Sequence, residues 1–213
     1  MIYNEEIART TAKSLLQIKA VKLNPTEPFT WASGIKSPIY CDNRITLSFH
    51  AIRTYIRQQF VHIIREEFGV VEYIGAVATG GIAQGALVAQ EFGIPLVYVR
   101  SEKKSHGMEN KIEGKIEPGK SIVVIEDLVS TGSSSLTAVQ ALTEAGFIVK
   151  GMVAIFSYNL EPARKNFADA KCRLVTLSDY NTLINEALDS NYITDDDLQS
   201  LVKWRENPEK WGK

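Results

Sequence analysis

Cysteine is scarce in this chain, and the little there is forms no pattern. Cys41 and Cys172 are the only two. They make no CxxC pair and no spacing of metal ligands. Isolated thiols fit a reducing cytosol, and both read as structural residues. Excess charge is lacking as well. Lys and Arg number 24 against 25 for Asp and Glu, a formal net charge of −1, which argues against general affinity for nucleic acid or membrane surfaces. No apolar run approaches the roughly 20 residues needed to span a bilayer. The opening Met1-Ile2-Tyr3-Asn4-Glu5-Glu6 has neither the charged nor the apolar region of a signal peptide, so none is expected. The chain has no repeat and no low-complexity tract. The loop that follows Ile122 to Ile125 does not end in the Gly-Lys-Ser/Thr of a Walker A loop, and its single glycine, Gly132, is not the spaced set of a dinucleotide fingerprint.

What is present fits a folded α/β domain. At 213 residues and 45% hydrophobic, the chain supports a full core in one domain, with at most a small appendage. Apolar spacing predicts helices over 4–20 and 49–68, with 24–47 irregular and punctuated by Pro25, Pro28, Gly34 and Pro38. A strand is expected at 73–78, a helix at 82–92 ended by Gly93, and a strand at 95–99. Residues 100–120 show no clear period. Strand 122–125 follows, then a helix with Leu136, Val139 and Leu142 on one face and Gly146 as its stop. Strands at 148–156 and 172–177 and helices at 161–168, 179–189 and 194–206 complete the pattern. Alternating strands and helices imply a mainly parallel sheet flanked by helices. Residues 1–47 form a small N-terminal hood, and 48–213 form the core with its C-terminal helices, as one compact unit.

The segment Ser121-Ile122-Val123-Val124-Ile125-Glu126-Asp127-Leu128-Val129-Ser130-Thr131-Gly132-Ser133-Ser134-Ser135 carries the most chemistry. Ile122 to Ile125 shows no polar alternation, as expected of a strand buried on both faces. Glu126 and Asp127 stand where that strand would end, the edge at which open α/β sheets bind ligands. Two carboxylates there can accept hydrogen bonds from vicinal hydroxyls and stabilise a developing cation. Thr131, Gly132, Ser133 and Ser134 would bring backbone N–H groups and hydroxyls to a helix N-terminus, which favours a phosphate. An ordinary strand-to-helix turn with Ser/Thr caps would carry similar letters.

Three further segments narrow the ligand. Ala78-Thr79-Gly80-Gly81 joins a strand to a helix, and its paired glycines permit close backbone approach to a ligand or positive φ values. A tight turn without a ligand would look the same. Arg100-Ser101-Glu102-Lys103-Lys104-Ser105-His106-Gly107 gathers four basic or potentially basic side chains in a connection of about twenty residues. Connections of that length are often lids or binding loops, and Gly107 and Gly114 would let it open and close. A solvated hairpin is the competing account. Phe29 to Arg44 mixes aromatics, hydroxyls and the cations Lys36 and Arg44, a lining suited to a flat anionic ring; core packing explains at least one of Phe29, Trp31 and Tyr40.

Val124 to Gly132 resembles the phosphoribosyl-pyrophosphate motif of type I phosphoribosyltransferases. Ser33-Gly34, Ser37-Pro38-Ile39-Tyr40, Asp42 and Arg44 are similar to the hood of the family's orotate-using branch. Arg100, Lys104 and His106-Gly107 are similar to that branch's mobile catalytic loop. The likeness runs from the first helix to about residue 177. It implies the type I phosphoribosyltransferase fold and transfer of a 5-phosphoribosyl group to N1 of orotate, giving orotidine 5′-monophosphate and pyrophosphate in pyrimidine synthesis. It implies that Glu126 and Asp127 hold the ribose hydroxyls and that residues 126–134 (Glu126, Asp127, Leu128, Val129, Ser130, Thr131, Gly132, Ser133, Ser134) bind the donor. Thr79 and Gly80 would lie at the pyrophosphate, with Arg100, Lys103, Lys104 and His106 closing over it. Lys104, His106, Arg100 and Asp127 would carry the catalysis. Ser130, Lys36, Ser37, Ile39 and Tyr40 would contact orotate. Mg²⁺ would be held through substrate and water, with Asp127 the one candidate protein ligand. A cytoplasmic homodimer is implied, each 100–116 loop closing over the neighbouring site, with no nucleic-acid or membrane partner.

Three positions depart from the family's pattern. Some members have lysines where this chain has Ser101 and Ala32. Some have an arginine for the orotate carboxylate in the region of Phe156-Ser157-Tyr158-Asn159, where this chain has none. Lys36, Arg44 and backbone amides remain candidates for that carboxylate. A phosphoribosyltransferase for another base, or a regulator that senses phosphoribosyl pyrophosphate, would share the fold. The hood argues against the first. Lys104, His106 and the lack of a basic surface or DNA-binding module argue against the second.

Overall fold

The computed structural model describes residues 2–30, 34, 36–100, 111–208 and 210–211. Helix α1 (Glu5–Gln17) starts on Asn4, whose side chain accepts from Ile7 N–H. Short strands β1 (Val21–Leu23), β2 (Phe29–Thr30), β3 (Lys36–Ser37) and β4 (Ile39–Cys41) follow, then a 3₁₀ turn, Asn43–Ser48. Strand β1 pairs antiparallel with β4, and β2 with β3. The stretch expected to be irregular, 24–47, therefore holds the β2–β3 ladder and one strand, β4, of the other. Their strands of two or three residues are too short to show a period.

Helix α2 (His50–Ile63) passes into a π turn, Ile64–Phe68, where a continuous helix was expected. The Lys150 ammonium explains the ending: it donates to the Phe68 carbonyl at 2.9 Å and the Val70 carbonyl at 2.7 Å. Next come β5 (Tyr73–Val77), α3 (Gly80–Phe92), β6 (Leu96–Val99), β7 (Ile112–Glu113), β8 (Ser121–Val129), α4 (Ser133–Glu144), β9 (Ile148–Ser157), α5 (Glu161–Asp169), β10 (Leu174–Asp179), α6 (Tyr180–Asp189) and α7 (Asp195–Glu206). Gly93 and Gly146 stop α3 and α4 as expected, both at positive φ.

Six strands form the main sheet in the order β10-β9-β8-β5-β6-β7, all parallel except edge strand β7. Two apolar layers cover it. Val123 and Ile125 join a cluster with Leu15, Phe60, Leu177 and Trp204, while Ile122 and Val124 join one with Leu142, Ala154 and Phe167. That is why β8 shows no alternation: both faces are dry. Each fully buried Ile or Val stabilises by roughly 1.5–3 kcal/mol relative to exposure. No helix among the described residues is long and apolar enough to cross a membrane.

Candidate active site

β8 runs through the acid pair to Val129, so the acids do not mark its end. They mark the point where its neighbour β5 stops: that pairing ends at Ala76 opposite Ile125, while β9 stays paired as far as Val129 opposite Ser157. Glu126 and Asp127 point to opposite faces of the strand. Glu126 is buried at 4% exposure. Its Oε2 accepts from Ser135 Oγ on α4 at 2.8 Å, and its Oε1 from Asp127 N–H at 3.0 Å. Burial, then the neighbouring Asp127 charge, raises the Glu126 pKa well above the ordinary carboxyl value.

Asp127 faces α3. A Cβ at Gly80 would stand 2.2 Å from Asp127 Cγ, and one at Gly81 would stand 2.5 Å from the Ile125 carbonyl. Neither glycine has positive φ. The pair exists so that the start of α3 can lie directly on the acid strand. The Ala78–Thr79 peptide is cis, and Thr79 places no side-chain cap on α3.

A cleft of ≈ 390 Å³ opens between these parts. Cys41, Asp42 and Arg44 line one side, Val77 to Gly80 a second, and Glu126, Asp127, Leu128 and Ser134 the rest. Asp42 and Arg44 are tied together by two bonds, Nε to Oδ1 at 2.7 Å and Nη2 to Oδ2 at 2.9 Å. The Arg44 bonds hold the Asp42 carboxyl below its ordinary range, and the same contact raises Arg44. Arg44 has thus committed its fork to Asp42, which weakens it as a partner for a ligand carboxylate.

The turn from β8 to α4 has the form of an anion site. Gly132 caps the helix at φ +80, with no side-chain cap bond, leaving amides of the first turn for a ligand. A Cβ on Gly132 would meet the Phe167 ring at 2.8 Å. Thr131 is held from behind, its carbonyl accepting from Asn166 Nδ2 at 3.0 Å.

Of the expected site residues, the fold gathers Thr79, Gly80, Glu126, Asp127, Leu128 and Ser134 at one cleft. Ser130, Thr131 and Gly132 form the turn that follows β8, and Ser133 opens α4. Val129 puts its side chain in the core, so only its backbone faces a ligand. In the hood, Ile39 is fully buried and the Ser37 hydroxyl donates to the Ile39 carbonyl at 2.9 Å; these two offer backbone groups. Lys36 Nζ is exposed and donates to Thr30 Oγ1 at 2.8 Å. Tyr40 is 42% exposed and stacks obliquely on Phe29 at 5.7 Å. Arg100 closes the β6–β7 hairpin, its N–H donating to the Lys111 carbonyl at 2.9 Å and its side chain 3.5 Å from Glu113. Lys103, Lys104 and His106 lie outside the described residues, as do Trp31 to Ser33 and Ile35.

Sequence reasoning assigned no role to Cys41, Asn43, Ser135 or Trp204. Trp204 is fully buried among Tyr158 and Tyr180, and its Nε1 donates to the Lys36 carbonyl at 3.2 Å. The C-terminal helix therefore fastens the hood. Nothing local signals a contact across that much chain.

Comparison with known proteins agrees with this geometry. Residues 47–190 match the family described as Phosphoribosyl transferase domain. The chain is 53% identical to an orotate phosphoribosyltransferase of Cytophaga hutchinsonii over 213 residues, all of both chains. It is 51% identical to that of Porphyromonas gingivalis, over 97% of this chain and 98% of the relative. Among solved structures, orotate phosphoribosyltransferase from Aeropyrum pernix superposes with a TM-score of 0.75 at 26% identity, over 86% of this chain and 99% of the other.

Proposed function

This chain belongs to the orotate phosphoribosyltransferases of the phosphoribosyl transferase family, and on that premise we infer that it transfers the 5-phosphoribosyl group of phosphoribosyl pyrophosphate to N1 of orotate. The products are orotidine 5′-monophosphate and pyrophosphate, in pyrimidine synthesis. The observation that carries the reading is the acid pair between two helix starts, with Asp127 against Gly80 of α3 and Glu126 against Ser135 of α4.

The bond from C1′ to pyrophosphate breaks and the bond from C1′ to N1 forms. Positive charge grows on the ribose ring and negative charge on the leaving group. Glu126 and Asp127 hold the ribose hydroxyls beside the growing positive charge. They do not start the reaction as bases, because the N1 proton of orotate is acidic enough to leave without one. Residues 130–134 seat the 5′-phosphate on the first turn of α4. Thr79 and Gly80 face the pyrophosphate. Positioning and charge neutralisation of this kind supply on the order of several kcal/mol.

In the hood, Lys36 is the better partner for the orotate carboxylate. Its ammonium has two donors left after Thr30, whereas Arg44 is paired with Asp42. The exposed Tyr40 ring supplies a face for the base. Arg100, Lys103, Lys104 and His106 close over the pyrophosphate, with Lys104 and His106 as general acids, from the partner subunit of a homodimer. The donor set also fits a cation carried in by its substrate. Asp42 and Glu126 are engaged, Asp127 offers one carboxylate, and no group of three possible ligands gathers among the described residues. Mg²⁺ held through substrate, water and Asp127 would neutralise the leaving pyrophosphate. Residues 1–47 act as the hood of the base site and 48–213 as the core, in one compact unit. The two free thiols fit a cytoplasmic enzyme.

The test is turnover. Orotate absorbance is expected to fall in the presence of phosphoribosyl pyrophosphate and Mg²⁺. Turnover with a purine base and none with orotate would overturn the assignment.

A further inference from the structure

β8 loses a neighbour at a defined point. Past Ile125 its β5 edge has no strand partner among the described residues, because the chain leaves β5 at Val77 and turns into α3. Backbone carbonyls on such an edge need other donors. At Asp127 the donor comes from outside the sheet: Asn43 Nδ2 donates to the Asp127 carbonyl at 2.6 Å. Asn43 is 1% exposed and opens the 3₁₀ turn after hood strand β4. Its Oδ1 accepts from the Cys41 thiol at 3.3 Å, and its own carbonyl accepts from Thr46 Oγ1 at 2.6 Å. Chemistry fixes the amide's direction: a carbonyl can only accept, so the nitrogen must face Asp127. Burial and the charges of Asp127 and Asp42 raise the Cys41 pKa, which preserves the S–H that Oδ1 uses.

We propose that Asn43 is a positioning residue that couples the acceptor hood to the donor's acid strand. Through Cys41 it is fastened to β4, beside Tyr40. Through the Asp127 carbonyl it sets the height at which the acid pair stands over the cleft. Seating of base and seating of ribose then share one buried side chain. The proposal rests on the reading of Asp127 as a ribose ligand and of the hood as the base site.

Asn43→Ala and Asn43→Asp in the full-length enzyme test it, each checked first for a melting temperature near wild type. Asn43→Ala is expected to raise KM for phosphoribosyl pyrophosphate and KM for orotate together, each about fivefold to tenfold, as a lost buried hydrogen bond would. Asn43→Asp is nearly isosteric but has no hydrogen for the Asp127 carbonyl when ionised; protonated, it can donate O–H. Its activity relative to wild type is therefore expected to recover roughly fivefold or more between pH 8 and pH 5.5. The charged and titratable groups beside it are Cys41, whose thiol donates to its Oδ1, Asp127, whose carbonyl it faces, and its chain neighbours Asp42 and Arg44. Each is present in both proteins, so the ratio removes their own titration. A change in one KM only, in neither, or a flat Asn43→Asp ratio would overturn the coupling. Should either variant fail to fold, Cys41→Ala, which removes only the donor to Oδ1, carries the same two-KM test. Asp127→Asn run alongside separates the two layers. An unchanged KM for phosphoribosyl pyrophosphate there removes the acid-pair reading, whereas a raised KM with wild-type behaviour at position 43 removes only the coupling.

Discussion

At Glu126 the chain buries a carboxyl at 4% exposure and gives it two donors, the Ser135 hydroxyl and the Asp127 N–H. Its pKa in the folded protein is raised, first by burial and then by Asp127. The folded state therefore holds this proton more tightly than the unfolded chain does. The associated stability is complete below the ordinary value of 4.5 and is lost as pH rises above it. Glutamine at this position has no proton to lose. Glu126→Gln is expected to melt a few degrees above wild type at pH 7 to 8 and level with it at pH 4, taking about 2–4 °C per kcal/mol for a chain of this size. Activity should move the other way, with kcat/KM for phosphoribosyl pyrophosphate falling about tenfold or more, because one carboxyl oxygen that can accept from a ribose hydroxyl becomes an amide N–H donor. Calorimetry across pH beside steady-state kinetics checks both halves. A variant less stable than wild type at pH 8 would show that the buried charge is better compensated than its two donors suggest. Strain of this kind at a site is tolerated for function and costs stability.

Among the elements, α7 has a role that its sequence does not announce. Trp204 spans from the Tyr158–Tyr180 aromatic pair to the Lys36 carbonyl of hood strand β3. Trp204→Phe keeps an aromatic ring but removes the N–H and part of the indole. It is expected to raise KM for orotate about threefold to tenfold while leaving KM for phosphoribosyl pyrophosphate within about twofold, since one part-buried hood carbonyl loses its donor. Trp204→Ala should instead destabilise the whole fold by about 3–5 kcal/mol. Equal effects of Trp204→Phe on both KM values would place its role outside the hood. The same elements show what could be read from letters alone. β8 was legible because Ile122 to Ile125 are apolar on both faces, and α4 because Leu136, Val139 and Leu142 repeat at helical spacing before Gly146. The end of β8 was not, since Glu126 and Asp127 look like a solvated boundary while their backbone goes on pairing with β9. Nor were the hood ladders, whose strands are shorter than any period. The Gly80-Gly81 pair was legible as a close approach, but what approaches is the acid strand itself. Asn43 and Trp204 act on residues far along the chain, which no local pattern encodes.

Across the whole molecule, a loop that closes over the neighbouring subunit's site has a consequence that mixed dimers read out. Strands β6 and β7 rise from the same sheet edge as the cleft: Ala78 N–H donates to the Val99 carbonyl, and Arg100 N–H to the Lys111 carbonyl. Lys104 and the acid pair thus belong to parts of the chain that a dimer could combine in two ways. If the loop crosses to the neighbour, a heterodimer of one Lys104→Ala chain and one Asp127→Asn chain contains one site with both defects and one with neither. Random mixing makes about half the dimers mixed, so activity should return to about a quarter of the wild-type level. If each loop serves its own subunit, every site keeps one defect and mixing restores nothing. Differently tagged chains, unfolded together, refolded and purified through both tags, give the heterodimer directly, where about half of wild-type activity is expected per dimer. Purified heterodimers no more active than either parent would place the loop and the acid pair of each site within one chain.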